Sequence, residues 1–377
     1  MFGNSVRLFS LLGFEVKIDL SWIFIAILIT WSLSTGFFPF HYKNLSTSTY
    51  WLMGIIGALG LFLSIIVHEF SHSIVARRYG LPMKGITLFI FGGVAEMGDE
   101  PTSPKTEFLM AVAGPLASIG IALVFLAIYL SGQTGWLPRP ISAVVGYLAL
   151  INGVLAAFNL VPAFPLDGGR ILRSALWKFK DNIRWATRVS ASIGSGFGIM
   201  LIVLGLMSIL MGNLIGGMWW GLIGFFLYSA AKSSYQQLLT RRALEGEQVS
   251  RFMKTDPITV PSDATISTLV NDYIYKFHFK MFPVIDSDRN LIGYVTTKQV
   301  KEIPKEKWPD IHVVDIVRGP DEENTVGASE DAMKALAMMS KSRQSRLLVA
   351  DGNRLLGVIT LKDLLEFLSL KIELDEQ

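Results

Sequence analysis

Six long apolar stretches punctuate the first two thirds of the chain, at residues 20–38, 51–79, 108–131, 141–161, 186–211 and 215–235. Each is close to the roughly 20 apolar residues that a helix needs to cross a bilayer core. The pattern predicts six membrane-spanning helices. Residues 1–16 read as a short interfacial approach to the first span. No small-residue cleavage site follows that approach, so the first run is expected to be a retained span rather than a signal peptide. Between the second and third spans, residues 85–97 are too short to cross, bounded by glycines and rich in strand formers. They predict a hairpin dipping into the membrane and turning at Gly92-Gly93. Its unpaired edge, with Ile86, Leu88, Phe89, Phe91, Gly92 and Gly93, is a candidate for holding an extended substrate segment by strand addition. After Arg242 the pattern changes, and residues 249–370 read as soluble α/β.

Composition agrees with a membrane protein. The chain is 51% hydrophobic and 17% charged, against about 25% charged for an ordinary soluble domain. A net charge of +3 gives no case for nucleic acid as a partner. The chain has no cysteine, which excludes disulfides and thiolate ligands. Positive charge is concentrated in alternate loops. One side receives Arg77, Arg78 and Lys105, then the basic residues from Arg170 to Arg188, then Arg241 and Arg242; the other receives Lys43 and Arg139. The positive-inside rule then puts both termini in the cytoplasm.

Chemistry enters at His68-Glu69-Phe70-Ser71-His72, inside the second apolar run. Histidines four apart lie on one helix face, within reach of one metal ion. The chain has 5 histidines, and two are here. A pair of ordinary interfacial histidines is the plain alternative. Three ionisable groups in one apolar span are costly, however, and such groups are usually functional. Glu69, beside the first ligand, could take a proton from an attacking water. His68 precedes Arg77 by nine residues, about 13 Å along a helix, so the site is expected inside the membrane and toward the cytoplasm. Two histidines leave a zinc ion short of a ligand. The fourth run ends in Asn159-Leu160-Val161-Pro162-Ala163-Phe164-Pro165-Leu166-Asp167-Gly168-Gly169-Arg170. Its prolines end the helix and its glycines allow close backbone approach. Broken helices at membrane depth are tolerated where they are buried in protein or line a cavity. Asp167 is therefore the candidate third ligand, the alternative being an interfacial turn neutralised by Arg170. Asp99 and Glu100, in the polar loop 97–107, read as solvated charges.

The soluble part repeats. An apolar strand, a turn at 286–290 and a second strand with Gly293 recur as a strand, a turn at 351–353 and a strand with Gly357. This resembles a tandem CBS-domain pair, with motifs at 249–305 and 311–370. The resemblance implies an adenine nucleotide (ATP, ADP or AMP) as a candidate ligand and a homodimer formed through these domains. The family's ribose/phosphate pattern is present as Gly357-Val358-Ile359-Thr360-Leu361-Lys362-Asp363, which implies Thr360 and Asp363 as nucleotide contacts. The first copy has Gln299 where an Asp is usual.

HEFSH in the second span and NLVPAFPLDGGR after the fourth resemble the site-2 protease family of intramembrane metalloproteases. The resemblance covers the membrane-embedded part, residues 1–240. It implies one zinc per chain held by His68, His72 and Asp167, Glu69 activating water, and Asn159 bonding the substrate or the developing oxyanion. It also implies cleavage of single-pass membrane proteins. Gly114-Pro115-Leu116-Ala117-Ser118, in the third span, matches a small-residue pattern that allows close helix approach beside such a site. The expected fold class is a polytopic α-helical membrane protein, with six transmembrane helices and a re-entrant β-hairpin, followed by a soluble α/β CBS pair. The competing class is a CBS-regulated cation transporter or channel with a His/Asp site. Carriers are commonly built from internal repeats, and the spans show none. A zinc-stabilised scaffold would require a fourth ligand, and no strong candidate is visible.

Overall fold

The computed structural model describes residues 5–11, 13–89, 92–97, 101–321, 323–342 and 344–375. It forms two compact units, Met1–Gln236 and Gln237–Gln377.

Among the described residues, six helices are long and apolar enough to cross a membrane, so the chain is a multi-pass membrane protein. The first crossing begins as α1 (Leu20–Ser32), continues through a π-helical turn at Leu33–Phe37 and ends in α2 (Phe38–His41). The second is α3 (Thr47–Arg78), whose 32 residues extend about 48 Å. Ser46 caps its start by accepting from the Thr49 amide, and Arg77 and Arg78 lie in its last turn, where cations complement the helix dipole. The others are α4 (Pro104–Gly132), α5 (Arg139–Asn159), α7 (Ile183–Leu210) and α8 (Leu214–Leu244). A shorter helix, α6 (Asp167–Lys180), lies between α5 and α7.

Helix α3 is central. It packs on α1, α4 and α5, while α6 packs on α4 and α7. Ile25, Met53, Phe62, Tyr147 and Leu148 join α1, α3 and α5 in one apolar core.

The region before the first span departs from expectation. It is a hairpin, β1 (Ser5–Leu11) and β2 (Phe14–Asp19), turning through Gly13 at φ 82°. Strand β2 pairs in parallel with β3 (Met83–Phe89), which pairs antiparallel with β4 (Gly92–Met97). The hairpin expected between the second and third spans is therefore half of a four-stranded sheet. Its reversal is not at Gly92-Gly93, because Gly92 pairs with Phe89 and Gly93 with Leu88. Phe14, Val16, Ile86 and Leu88 pack on Phe70 of α3, with the Phe14 and Phe70 rings edge to face at 5.5 Å.

The break after α5 is tightly packed. A Cβ at Gly168 would lie 2.3 Å from the Leu160 carbonyl oxygen, and one at Gly169 would lie 2.3 Å from the Phe164 nitrogen. Two glycines here let the connecting loop fold back onto the first turn of α6.

The second unit holds two copies of one arrangement. In the first, β5 (Val260–Pro261) pairs in parallel with β6 (Met281–Ile285), which pairs antiparallel with β7 (Leu291–Thr296). In the second, β8 (Thr325–Val326), β9 (Arg346–Asp351) and β10 (Arg354–Thr360) repeat that pattern. Each copy has its own core, and Met281, Leu291, Tyr294 and Leu348 pack between the copies. Helix α9 (Thr297–Lys301) follows β7 and α10 (Leu361–Asp375) follows β10.

Helices α7 and α8 meet through paired glycines. A Cβ at Gly198 would lie 2.7 Å from the Gly224 carbonyl oxygen, and one at Gly205 would lie 2.6 Å from that of Gly217. Such contacts let helix backbones approach closely in lipid. Gly205→Leu should force the two helices apart and destabilise the membrane unit by about 1–3 kcal/mol. The measurement is thermal unfolding in detergent, and an unchanged transition would contradict the close-packing account.

Candidate metal centre

Helix α3 distributes its motif around its circumference. His68 and His72 are buried, at 3% and 6% exposure, and face α4 and α6. Phe70 faces the sheet. Glu69 lies against β4, where a Cβ at Gly93 would come within 2.5 Å of its Cγ. A helix turns 100° per residue, so neighbouring residues serve different surfaces.

Asp167 begins α6 and completes the cluster. His68 Nε2 lies 3.1 Å from Asp167 Oδ2, His72 Nε2 lies 3.2 Å from the same oxygen, and the two Nε2 atoms are 3.2 Å apart. The three donors form a nearly equilateral triangle, and they are the only such group of three or more metal-binding residues among the described residues. A tetrahedral zinc with ligands at about 2.0 Å holds them roughly 3.3 Å apart, close to this spacing. Two imidazole nitrogens and one carboxylate oxygen also suit zinc chemically.

The opposite ring nitrogens fix the histidines. His72 Nδ1 donates to the Met110 carbonyl at 2.6 Å, which leaves the lone pair on Nε2 aimed at the cluster. His68 Nδ1 lies 2.9 Å from Ser118 Oγ, itself fully buried. Gly114 lies between these two contacts on α4. A Cβ there would lie 2.2 Å from His72 Nε2 and 2.6 Å from His68 Nε2. The small-residue pattern in the third span thus lets α4 pass directly beside the donors.

Other expected residues separate. Ile86 and Leu88, expected to meet substrate, are instead 0% and 1% exposed in the core between the sheet and α3. Their strand is interior to the sheet and is paired on both sides. Phe89 is half-buried and lies 6.0 Å from the Phe226 ring. Gly92 and Gly93 belong to the edge strand β4. Phe91, Asp99 and Glu100 lie outside the described residues. Asn159 is the last residue of α5 and is half-buried. Arg170 Nε lies 3.9 Å from Glu107 Oε1. Sequence reasoning missed Glu107, which is fully buried and paired with Arg173.

In the second unit, Asp363 Oδ2 accepts from the Thr360 amide at 3.1 Å and from its hydroxyl, and Oδ1 lies 3.7 Å from Lys254 Nζ. In the first copy Gln299 Oε1 makes the equivalent two contacts to Thr296, at 2.7 Å each. Its Nε2 donates to the Ile316 carbonyl. The amide is thereby committed at both ends, whereas Asp363 keeps an oxygen facing a lysine.

Two family models match the chain. Peptidase family M50 matches residues 56–137 and 132–204, and the CBS domain matches residues 249–306 and 313–370. The Synechocystis protein sll0528 is 35% identical over 353 residues, covering 92% of this chain and 90% of its own. The zinc metalloprotease MJ0392 of Methanocaldococcus jannaschii is 28% identical over 99% of this chain and 98% of its own. The solved site-2 protease from Methanocaldococcus jannaschii is similar at 30% identity over 62% of this chain and 95% of its own, with a TM-score of 0.44. With 35% identity along nearly the whole length of the first relative, both family models matched and a buried His-His-Asp cluster in place, the chain belongs to the site-2-protease-type (M50) intramembrane zinc metalloproteases that carry a tandem CBS pair.

Proposed function

We propose that this chain hydrolyses a peptide bond within or near the transmembrane segment of a single-pass membrane protein, using one zinc ion held by His68, His72 and Asp167. The convergence of their three donor atoms at 3.1–3.2 Å, inside an apolar helix bundle, carries the reading. Zinc, when bound, supplies Lewis acidity toward the attacking water and the scissile carbonyl. Glu69 accepts the water's proton at its carboxylate and delivers it to the leaving amine. Its half-buried carboxylate next to His68 and beside Gly93 supports this role. Asn159 is assigned as a donor to the carbonyl oxygen, following the family motif. The free edge of β4, at Gly92 and Gly93, takes the unwound substrate as an added strand. A transmembrane helix must unwind because its carbonyls are otherwise held in its own hydrogen bonds.

The proposed organisation is a membrane-embedded protease domain at 1–240 and CBS motifs at 249–305 and 311–370. Loop charge supports a cell-membrane protein with both termini cytoplasmic and the site toward that side. The CBS pair is assigned an adenine nucleotide (ATP, ADP or AMP) and a homodimer contact. Thr360 and Asp363 are the nucleotide residues, supported by the Asp363 oxygen that faces Lys254, for which Gln299 has no counterpart.

Glu69→Gln should retain zinc yet lower kcat/KM for a transmembrane substrate by about 10²–10⁴-fold. Cleavage in liposomes together with metal content checks this, and near-normal cleavage by the variant would remove Glu69 from its role. Asp363→Ala should abolish ATP or AMP binding to the full-length protein, while Gln299→Ala should leave it unchanged. Calorimetric titration decides; equal losses in both variants would assign the ligand to both halves.

A further inference from the structure

We infer that Glu107 and Arg173 form a buried positioning pair that aims Asp167 at the two histidines. This rests on the metal-site reading above and adds residues that neither the family motifs nor the sequence pattern single out.

Glu107 and Arg173 are 0% and 4% exposed. Arg173 Nε donates to Glu107 Oε1 at 2.6 Å, and its Nη2 donates to the same oxygen. The Arg173 guanidinium also lies 5.1 Å from the centroid of the Phe164 ring, in the loop that leads into α6. Arg170 Nε is 3.9 Å from the same Glu107 oxygen. Asp167, Arg170 and Arg173 recur every third residue along α6, so one carboxylate on α4 gathers the first two turns of the helix that begins with Asp167.

The other end of the argument is on α4. Glu107, Met110, Gly114 and Ser118 follow a three-four-four spacing and share one helix face. Met110 and Ser118 bond the two histidines, and Gly114 gives their rings room. Asp167 has no such support. Among the described residues, its recorded side-chain partners are the two histidines alone. Its place in the triangle is therefore set by where α6 sits, and Glu107 joins α6 to the stripe that orients both histidines. One face of one helix references all three donors. Outer-shell partners of this kind commonly change metal affinity when altered.

The test measures zinc affinity by chelator competition in detergent, alongside the melting temperature of the zinc-free protein. Two variants separate positioning from packing. Arg173→Lys keeps the charge but loses the planar fork. The double variant Glu107→Met with Arg173→Met replaces the buried pair by apolar side chains, a change often neutral for stability. Both should bind zinc about 10–100-fold more weakly, while Arg173→Lys melts within a few degrees of the unaltered protein. Native zinc affinity in a folded Arg173→Lys variant would overturn the inference, whether or not the double variant folds. A melting loss in zinc-free protein with unchanged zinc affinity would likewise reduce the pair to a packing element. Failure of the underlying metal-site reading looks different. In that case the unaltered protein would bind no zinc, or His68→Ala would bind it equally well.

Discussion

Ionisable groups held inside an apolar helix bundle depend on the partners that their polar atoms find there. Burying an unpaired polar or charged group costs several kcal/mol. This constraint organises the membrane unit. His68, His72 and Asp167 face one another, and the outward nitrogens of the histidines are taken up by the Met110 carbonyl and the Ser118 hydroxyl. Helix α4 supplies both of these groups from one face. It approaches closely enough to do so because residue 114 has no side chain.

The same constraint explains the division of labour along α3. Within five residues the helix turns two donors toward α4, an acid toward β4 and an aromatic ring toward the sheet. The sheet is more than a hairpin inserted between spans. Its parallel pairing of β2 with β3 ties the start of the chain to the segment after α3, and its apolar face rests on Phe70. Strand β4 is consequently held beside Glu69 with its outer edge at the margin of the sheet. The acid and the edge strand are thus neighbours because both are positioned by the same helix.

In the CBS pair, two copies with the same strand order differ in the residue that caps the helix after the last strand. Each uses its Thr-x-x-Asp/Gln segment to cap the helix that follows: Asp363 on Thr360, Gln299 on Thr296. A carboxylate can cap and still offer a second oxygen. The Gln299 amide instead turns its nitrogen inward to the Ile316 carbonyl. The capping role is common to both copies, and the oxygen turned toward a lysine belongs to one.

Much of this was legible in the residues themselves. Six spans could be read because lipid demands runs of about 20 apolar residues, a requirement met locally along the chain. The histidine pair could be read because helical period alone places residues 68 and 72 on one face. Asp167 was marked by the prolines and glycines around it, which act on the backbone where they stand. Other features depended on contacts between distant segments. The first strand pair looked like an approach segment, since its partner β3 lies beyond the whole of α3. Ile86 and Leu88 looked available in a short apolar strand, yet the fold buries them under Phe70. Nothing in the residues around Glu107, at the end of the polar loop 97–107, sets it apart. Only the packing of α6 on α4 removed it from water and gave it Arg173, because burial and pairing are properties of two surfaces meeting and neither surface carries them alone.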